Sequence, residues 1–329
     1  MPINSIVAMN LMSSSFLNIF FHSEFNRAIA FAKKIATEKI FSFIDTAVAL
    51  NLVVACAFTG VGVFFQMAAT GRVNELAAIA LFLLTWQIYI VDRLVKNPED
   101  SADGQMADRR VVDDLPITHN DLGNRSAKVT QQAQHIIKPL VVLSVVVQAF
   151  CVVQQPQIVV GLIIGWLGGY SYVITLPVIN CRIKQIPCAK TFYVPLVCVA
   201  MGIGTSAEWC WAAMHWDVLL SLWALVGINA LVFDIKDRDR DFAAGIYTFF
   251  NLFSYEKVLH VAVGISSAIA LLNMAISPDV VHRALSAAAV GTVLLLLPLY
   301  KTCSTRYLTH LFEWSIALPL LFFSFLQML

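Results

Sequence analysis

The chain has 329 residues, 59% of them hydrophobic and 13% charged, with a formal net charge of +1. A soluble domain carries about a quarter charged residues and fewer than half apolar ones, so a soluble globular fold is excluded. The near-neutral charge total offers no basic surplus, and no nucleic-acid partner is expected. The seven cysteines are scattered, with no CxxC spacing, which argues against a disulfide framework or a zinc site.

In chain order, residues 25–40 mix Arg27, Lys33, Lys34 and Lys39 with Phe25, Ile29, Phe31 and Ile35. Two readings stand for this segment, an amphipathic helix lying on the membrane surface or a frayed leader. Residues 1–40 are therefore set apart as an N-terminal cytoplasmic segment, and 41–329 as one transmembrane domain. A bilayer span needs about 20 apolar residues. Nine such blocks follow, at 41–67, 74–91, 136–153, 157–175, 192–211, 218–233, 258–275, 284–300 and 310–328. The expected fold is all-α, a polytopic membrane protein with nine transmembrane helices around a central cavity, because only helices satisfy their own backbone polar groups in lipid. Of the 22 Lys and Arg residues, all but Arg72 and Arg283 fall in the N-terminal segment or in the loops after even-numbered spans and their flanks. The positive-inside rule then puts the N-terminus and those loops in the cytoplasm.

Three of these loops carry candidate chemistry. After span six, Asp234, Asp237 and Asp241 are spaced i, i+3, i+7, which puts three carboxylates on one helical face. Like charges so placed repel, and a carboxylate inside the span costs roughly 2.5–3.5 kcal/mol. A divalent cation would offset both costs, and Mg2+ takes one or two carboxylates together with oxygens of a phosphorylated substrate. The alternative is a solvated charged loop. After span two, Asp92 ends an apolar helix, and Asn97, Pro98 and Asp100 read as a helix start; on spacing alone, capping and metal binding both stand. The loop after span four carries Arg182, Lys184 and Lys190 with no acid among them, suited either to a diphosphate or to ordinary positive-inside charge. Spans two and six also echo each other, with an amide, four residues and an aspartate: Gln87 to Asp92 and Asn229 to Asp234. This resembles an internal duplication around a central site.

The run Asp234-x-x-Asp237-x-x-x-Asp241-x-x-x-Gly245-Ile-x-Thr248 is similar to the second aspartate-rich motif of the UbiA superfamily of membrane prenyltransferases. Tyr172 to Lys190 resembles the loop after that family's fourth helix, and the resemblance covers about residues 41 to 329. The first motif departs from the usual pattern. Asp92 fits its middle acid, but Ile88 stands where the family has asparagine and Lys96 where it has its last acid, so that Tyr89-x-x-Asp92-Arg93 resembles divergent branches.

The resemblance implies Mg2+ as cofactor, held by Asp92, Asp234, Asp237 and Asp241, which are also the catalytic candidates. It implies an isoprenyl diphosphate substrate, bound through Arg93, Arg182, Lys184, Lys190 and Lys236. Trp86, Tyr89, Tyr170, Tyr172 and Asn229 would face the prenyl chain or its allylic cation. The implied activity is prenyl transfer to an aromatic or lipid-like acceptor. A membrane terpene cyclase of the same fold is the alternative, and a non-enzymatic ion or small-molecule carrier a third reading.

Overall fold

The computed structural model describes residues 51–94, 134–177, 180–206, 209–243, 245–301, 307–308 and 312–329, all within one compact unit, Val48–Leu329. The surface helix expected over 25–40 and the motif at Asn97, Pro98 and Asp100 lie outside the described residues.

Among the described residues nine principal helices follow: α1 Leu52–Thr70, α2 Glu75–Leu94, α3 Gln134–Gln154, α4 Val159–Val173, α5 Ala189–Ser206, α6 Trp216–Ala243, α7 Tyr255–Ile276, α8 Val280–Leu296 and α9 Leu318–Met328. Among the described residues eight segments are long and apolar enough to cross a membrane, while the last, Trp314–Met328, is a shorter apolar helix. At 1.5 Å per residue it reaches about 22 Å, short of the ~30 Å hydrocarbon core. Of the nine expected spans, eight are full-length among the described residues and the count of nine is not confirmed. No strand occurs among the described residues; an isolated bridge joins Leu176 and Cys181.

Two helices differ from their apolar runs. Span five, read as 192–211, stops at Ser206, and Trp209–Met214 forms a separate short helix. Span six, read as ending at 233, continues helical for ten further residues. No glycine or proline occurs between Asp234 and Gly245. It then ends in a Schellman motif: Ile246 N–H donates to the Asp241 carbonyl at 2.7 Å and Gly245 N–H to Phe242 at 3.1 Å, with Gly245 at φ 73°. Only glycine adopts that left-handed conformation cheaply. The three aspartates therefore sit on one rigid helix and not in a loop.

Helix α6 is the axis of the bundle. Val218, Leu222, Leu225, Val226, Ile228, Leu231, Val232 and Ile235 enter one core with residues of α1, α5, α7, α8 and α9. Helix α4 meets α5 through a stripe of Gly161, Gly165 and Gly168 at i, i+4, i+7. A Cβ on Gly161 would lie 2.5 Å from the Thr205 backbone nitrogen and 2.8 Å from the Gly204 carbonyl carbon. Small residues let membrane helices approach backbone to backbone, and this contact holds the polar loop between α4 and α5 against the bundle end. At the opposite end, His282 Nε2 lies 2.7 Å from Asp217 Oδ2 and Nδ1 lies 2.9 Å from Asp279 Oδ2. Asp279 also caps α8 by accepting the His282 N–H.

Gly161→Ala should destabilise the protein by about 1–3 kcal/mol, because backbone cannot move aside. Gly264→Ala, where a Cβ meets nothing within 4 Å, should be neutral or slightly stabilising; thermal melts in detergent compare the two. Burial works to raise the Asp279 carboxyl, but the His282 backbone N–H, the His282 ring and the Ser277 hydroxyl outweigh it and hold it below its ordinary value. Such a group contributes stability above its unfolded pKa of about 3.9, lost as pH falls through the folded value. Melts of Asp279→Asn should show lower stability at neutral pH and a weaker decline below about pH 4.

Candidate active site

At the aspartate-bearing end of α6, side chains from five helices and the loop after α4 enclose a cavity of about 200 Å³. Asn51, Val54 and Phe58 come from the start of α1, and Thr85, Ile88, Tyr89 and Asp92 from α2. Helix α4 adds Gly168, Gly169, Tyr172 and Val173, and the loop after it adds Lys184. Helix α5 contributes Lys190, Tyr193, Val194, Val197, Cys198 and Met201; α6 contributes Asn229, Ala230, Phe233, Asp237 and Asp241. The charges gather at one end of each helix, and mostly hydrocarbon and aromatic side chains line the rest, with Asn51, Thr85 and Asn229 among them.

Two lysines answer the acids. Asp234 is 1% exposed, and Lys190 Nζ lies 2.5 Å from its Oδ1 and 4.0 Å from Asp237 Oδ2. A carboxylate this deep requires a partner, and the first turn of α5 supplies it. Across the cavity, Lys184 Nζ contacts Asp92 Oδ1 at 3.1 Å and stands 5.8 Å from the Tyr172 ring centroid, within reach of a cation–π contact. The loop that carries Lys184 is tied to the end of α6, since Cys188 N–H donates to the Tyr247 carbonyl at 2.9 Å. Burial, and secondarily the nearby Asp234, raise the Cys188 thiol pKa, so this cysteine is not an activated nucleophile. Tyr172 and Tyr193 stack nearly parallel, 6.5 Å between centroids. Tyr193 Oη is fixed by Ser171 Oγ at 2.5 Å and the Gly168 carbonyl at 3.1 Å.

The donor set suits a hard divalent cation on one rim. Asp234 and Asp237 lie beside Lys190, Asp241 lines the same cavity, and Asp92 meets Lys184 across it. No preassembled cluster of three metal-ligating groups exists among the described residues. Mg2+ typically takes one or two carboxylates together with waters and substrate oxygens. Asp237 and Asp241 can supply such a pair. The α2 rim fits a metal less well, because its one described carboxylate is already engaged by a built-in ammonium.

Of the residues singled out from sequence, Tyr89, Asp92, Tyr172, Lys184, Lys190, Asn229, Asp237 and Asp241 line this cavity, and Asp234 buttresses it through Lys190. Trp86 does not: it is buried beside Ala55, Ile90 and Ile137. On α2 the cavity face is 85, 88, 89 and 92, and residue 86 points about 100° away. Tyr170 stacks on Trp166 at 4.7 Å, one turn apart on a face of α4 other than that of Tyr172. Arg182 is 4% exposed and outside the cavity lining; its backbone N–H donates to Gln185 Oε1 at 2.8 Å. The side chains of Arg93 and Lys236 lie outside the described residues. Asn229 lines the cavity, yet its Nδ2 donates to the Phe312 carbonyl and to Ser315 Oγ, so it fastens α6 to the last segment. Sequence reasoning missed Phe58, Thr85 and Tyr193. Thr85 carried a usable signal, lying seven residues before Asp92 on the same helical face.

No family model matches the chain, and no curated protein matches it. Two solved structures do match, both of a UbiA homolog from Archaeoglobus fulgidus. One, bound to DMAPP and Mg2+, is 15% identical with a TM-score of 0.54, covering 84% of this chain and 97% of that one. The other, bound to GPP and Mg2+, is 14% identical with a TM-score of 0.55, covering 87% and 100%. This chain has the UbiA fold. The likeness embraces almost the whole of the homolog.

Lys190→Met should cost about 3–5 kcal/mol by leaving the Asp234 carboxylate buried without its counterion. Lys190→Met combined with Asp234→Leu should recover most of the thermal midpoint, since an apolar pair of similar volume tolerates the same burial. If the double variant melted no higher than the single one, the pair would have no such structural role.

Proposed function

We propose that this protein is a divergent member of the UbiA superfamily, a Mg2+-dependent membrane prenyltransferase that moves an isoprenyl group from a prenyl diphosphate to an aromatic or lipid-like acceptor. The single observation that carries this reading is the cavity itself: carboxylates and ammonium groups gathered at one end of an apolar, aromatic-lined chamber within the UbiA fold. A prenyl diphosphate has the matching division, a polyanionic head on a hydrocarbon tail. The bias of Lys and Arg toward the site's end supports a cytoplasmic active site in a multi-pass membrane protein.

Asp237 and Asp241, with Asp234 behind them, would hold Mg2+ on the α6 rim, where the ion neutralises charge on the diphosphate oxygens. Lys184 and Lys190 are placed to donate hydrogen bonds to those oxygens as the carbon–oxygen bond breaks and its electron pair leaves with the diphosphate. The stacked Tyr172 and Tyr193 and the ring of Tyr89 present π faces to the allylic cation. The acceptor then bonds to the prenyl carbon and gives up one proton, for which the released diphosphate is a nearby base. Phe58, Ile88, Val197 and Met201 surround the tail and keep water from the cation.

Asp237→Ala and Asp241→Ala should each lower Mg2+-dependent diphosphate release from geranyl diphosphate by about 100-fold or more, with unchanged yield of folded protein. Asp239→Ala, off the shared helical face, should retain most of the activity. Wild-type rates in both Asp237→Ala and Asp241→Ala would remove the metal assignment.

A further inference from the structure

Many hydroxyls on these helices satisfy themselves on their own backbone. Thr59, Thr70, Thr205, Ser266 and Thr292 each donate to the carbonyl four residues earlier, at 2.7–2.9 Å. That is the ordinary way for a threonine to satisfy itself inside a membrane helix. Thr85, like Thr191 and Thr248, does not satisfy itself so, and of these three only Thr85 lines the cavity. It is 3% exposed, and among the described residues its Oγ1 has no hydrogen-bond partner, the Leu81 carbonyl included. Asn51, on the adjacent α1, is 6% exposed and lines the same cavity with Nδ2 likewise unpartnered. The α5 wall that runs from Tyr193 inward through Val194, Val197, Cys198 and Met201 offers no comparable unpartnered group.

Thr85 lies about 10 Å along α2 from Asp92, seven residues at 1.5 Å each, well away from the diphosphate end. A prenyl tail is hydrocarbon and can neither give nor accept a hydrogen bond. Were the tail alone to fill this arm, the hydroxyl would bear its full desolvation penalty, and valine, of the same shape, would serve better. We propose that Thr85 binds an oxygen atom of the second substrate, which is therefore an apolar compound bearing a hydroxyl or carbonyl group; phenols and quinols are the simplest of this kind. The inference rests on the prenyl-diphosphate reading of the cavity and sharpens it. It favours transfer between two molecules over cyclisation, because a cyclising substrate carries oxygen only in its diphosphate.

The test uses the full chain in detergent with Mg2+ and geranyl thiolodiphosphate, a donor analogue that does not ionise, followed by titration with 1-naphthol or naphthalene. Wild type and Thr85→Ser should bind 1-naphthol about tenfold tighter than naphthalene, the worth of one buried hydrogen bond. Thr85→Val should bind both probes equally while retaining its thermal midpoint and its affinity for the donor analogue. Equal binding of the two probes by wild type, or an undiminished preference in Thr85→Val, would overturn the proposal. Failure of wild type to bind geranyl thiolodiphosphate appears in the first titration; it would overturn the underlying prenyl-diphosphate reading and this inference with it.

Discussion

The pairing of Lys190 with Asp234 is the constraint on which the rest of the site depends. A carboxylate 1% exposed at the edge of a hydrocarbon span is tolerable only with an ammonium in contact, and that ammonium comes from the first turn of α5. The pair therefore fixes the register of α5 against α6, and through it the places of Tyr193, Val197 and Met201 on the cavity wall. The loop before Lys190 is anchored twice more, by the glycine stripe of α4 against α5 and by the Cys188–Tyr247 hydrogen bond. Polar chemistry is thus held rigidly at one end of an otherwise apolar bundle.

The two halves of the domain repeat one arrangement. Gln87, on α2, donates through Nε2 to Ser144 Oγ of α3. Asn229, on α6, donates to Ser315 Oγ and the Phe312 carbonyl. Each amide fastens its helix outward to a neighbour, and the aspartate five residues later is met by a lysine, Lys184 in one half and Lys190 in the other. The amide-to-aspartate spacing is thus a structural device: the amide fixes helix rotation, and rotation decides where the acid points.

The halves then diverge. The α6 rim presents two more carboxylates, Asp237 and Asp241, one and two turns beyond Asp234. The α2 rim presents Asp92 with Lys184 and the Tyr172 ring. Each rim carries a lysine of its own, Lys190 beside the α6 acids and Lys184 beside Asp92, so the rims differ in their number of carboxylates and not in whether they hold a positive charge.

Sequence alone determined the membrane class, the helical architecture and the aspartate face of α6, because bilayer thickness and the 3.6-residue helical period act locally. The continuation of α6 past 233 to the left-handed turn at Gly245 came only from the fold. Tertiary structure decided what each candidate faces. Tyr172 and Tyr170 are two residues apart, yet one lines the cavity and the other stacks on Trp166; Trp86 and Tyr89 part in the same way. Composition cannot separate such pairs, since both members are aromatic at the end of an apolar span, and only the packing of neighbouring helices sets which face looks inward. Thr85 was hidden for a related reason: a threonine in a membrane helix usually bonds to its own backbone, and only the folded cavity shows that this one does not.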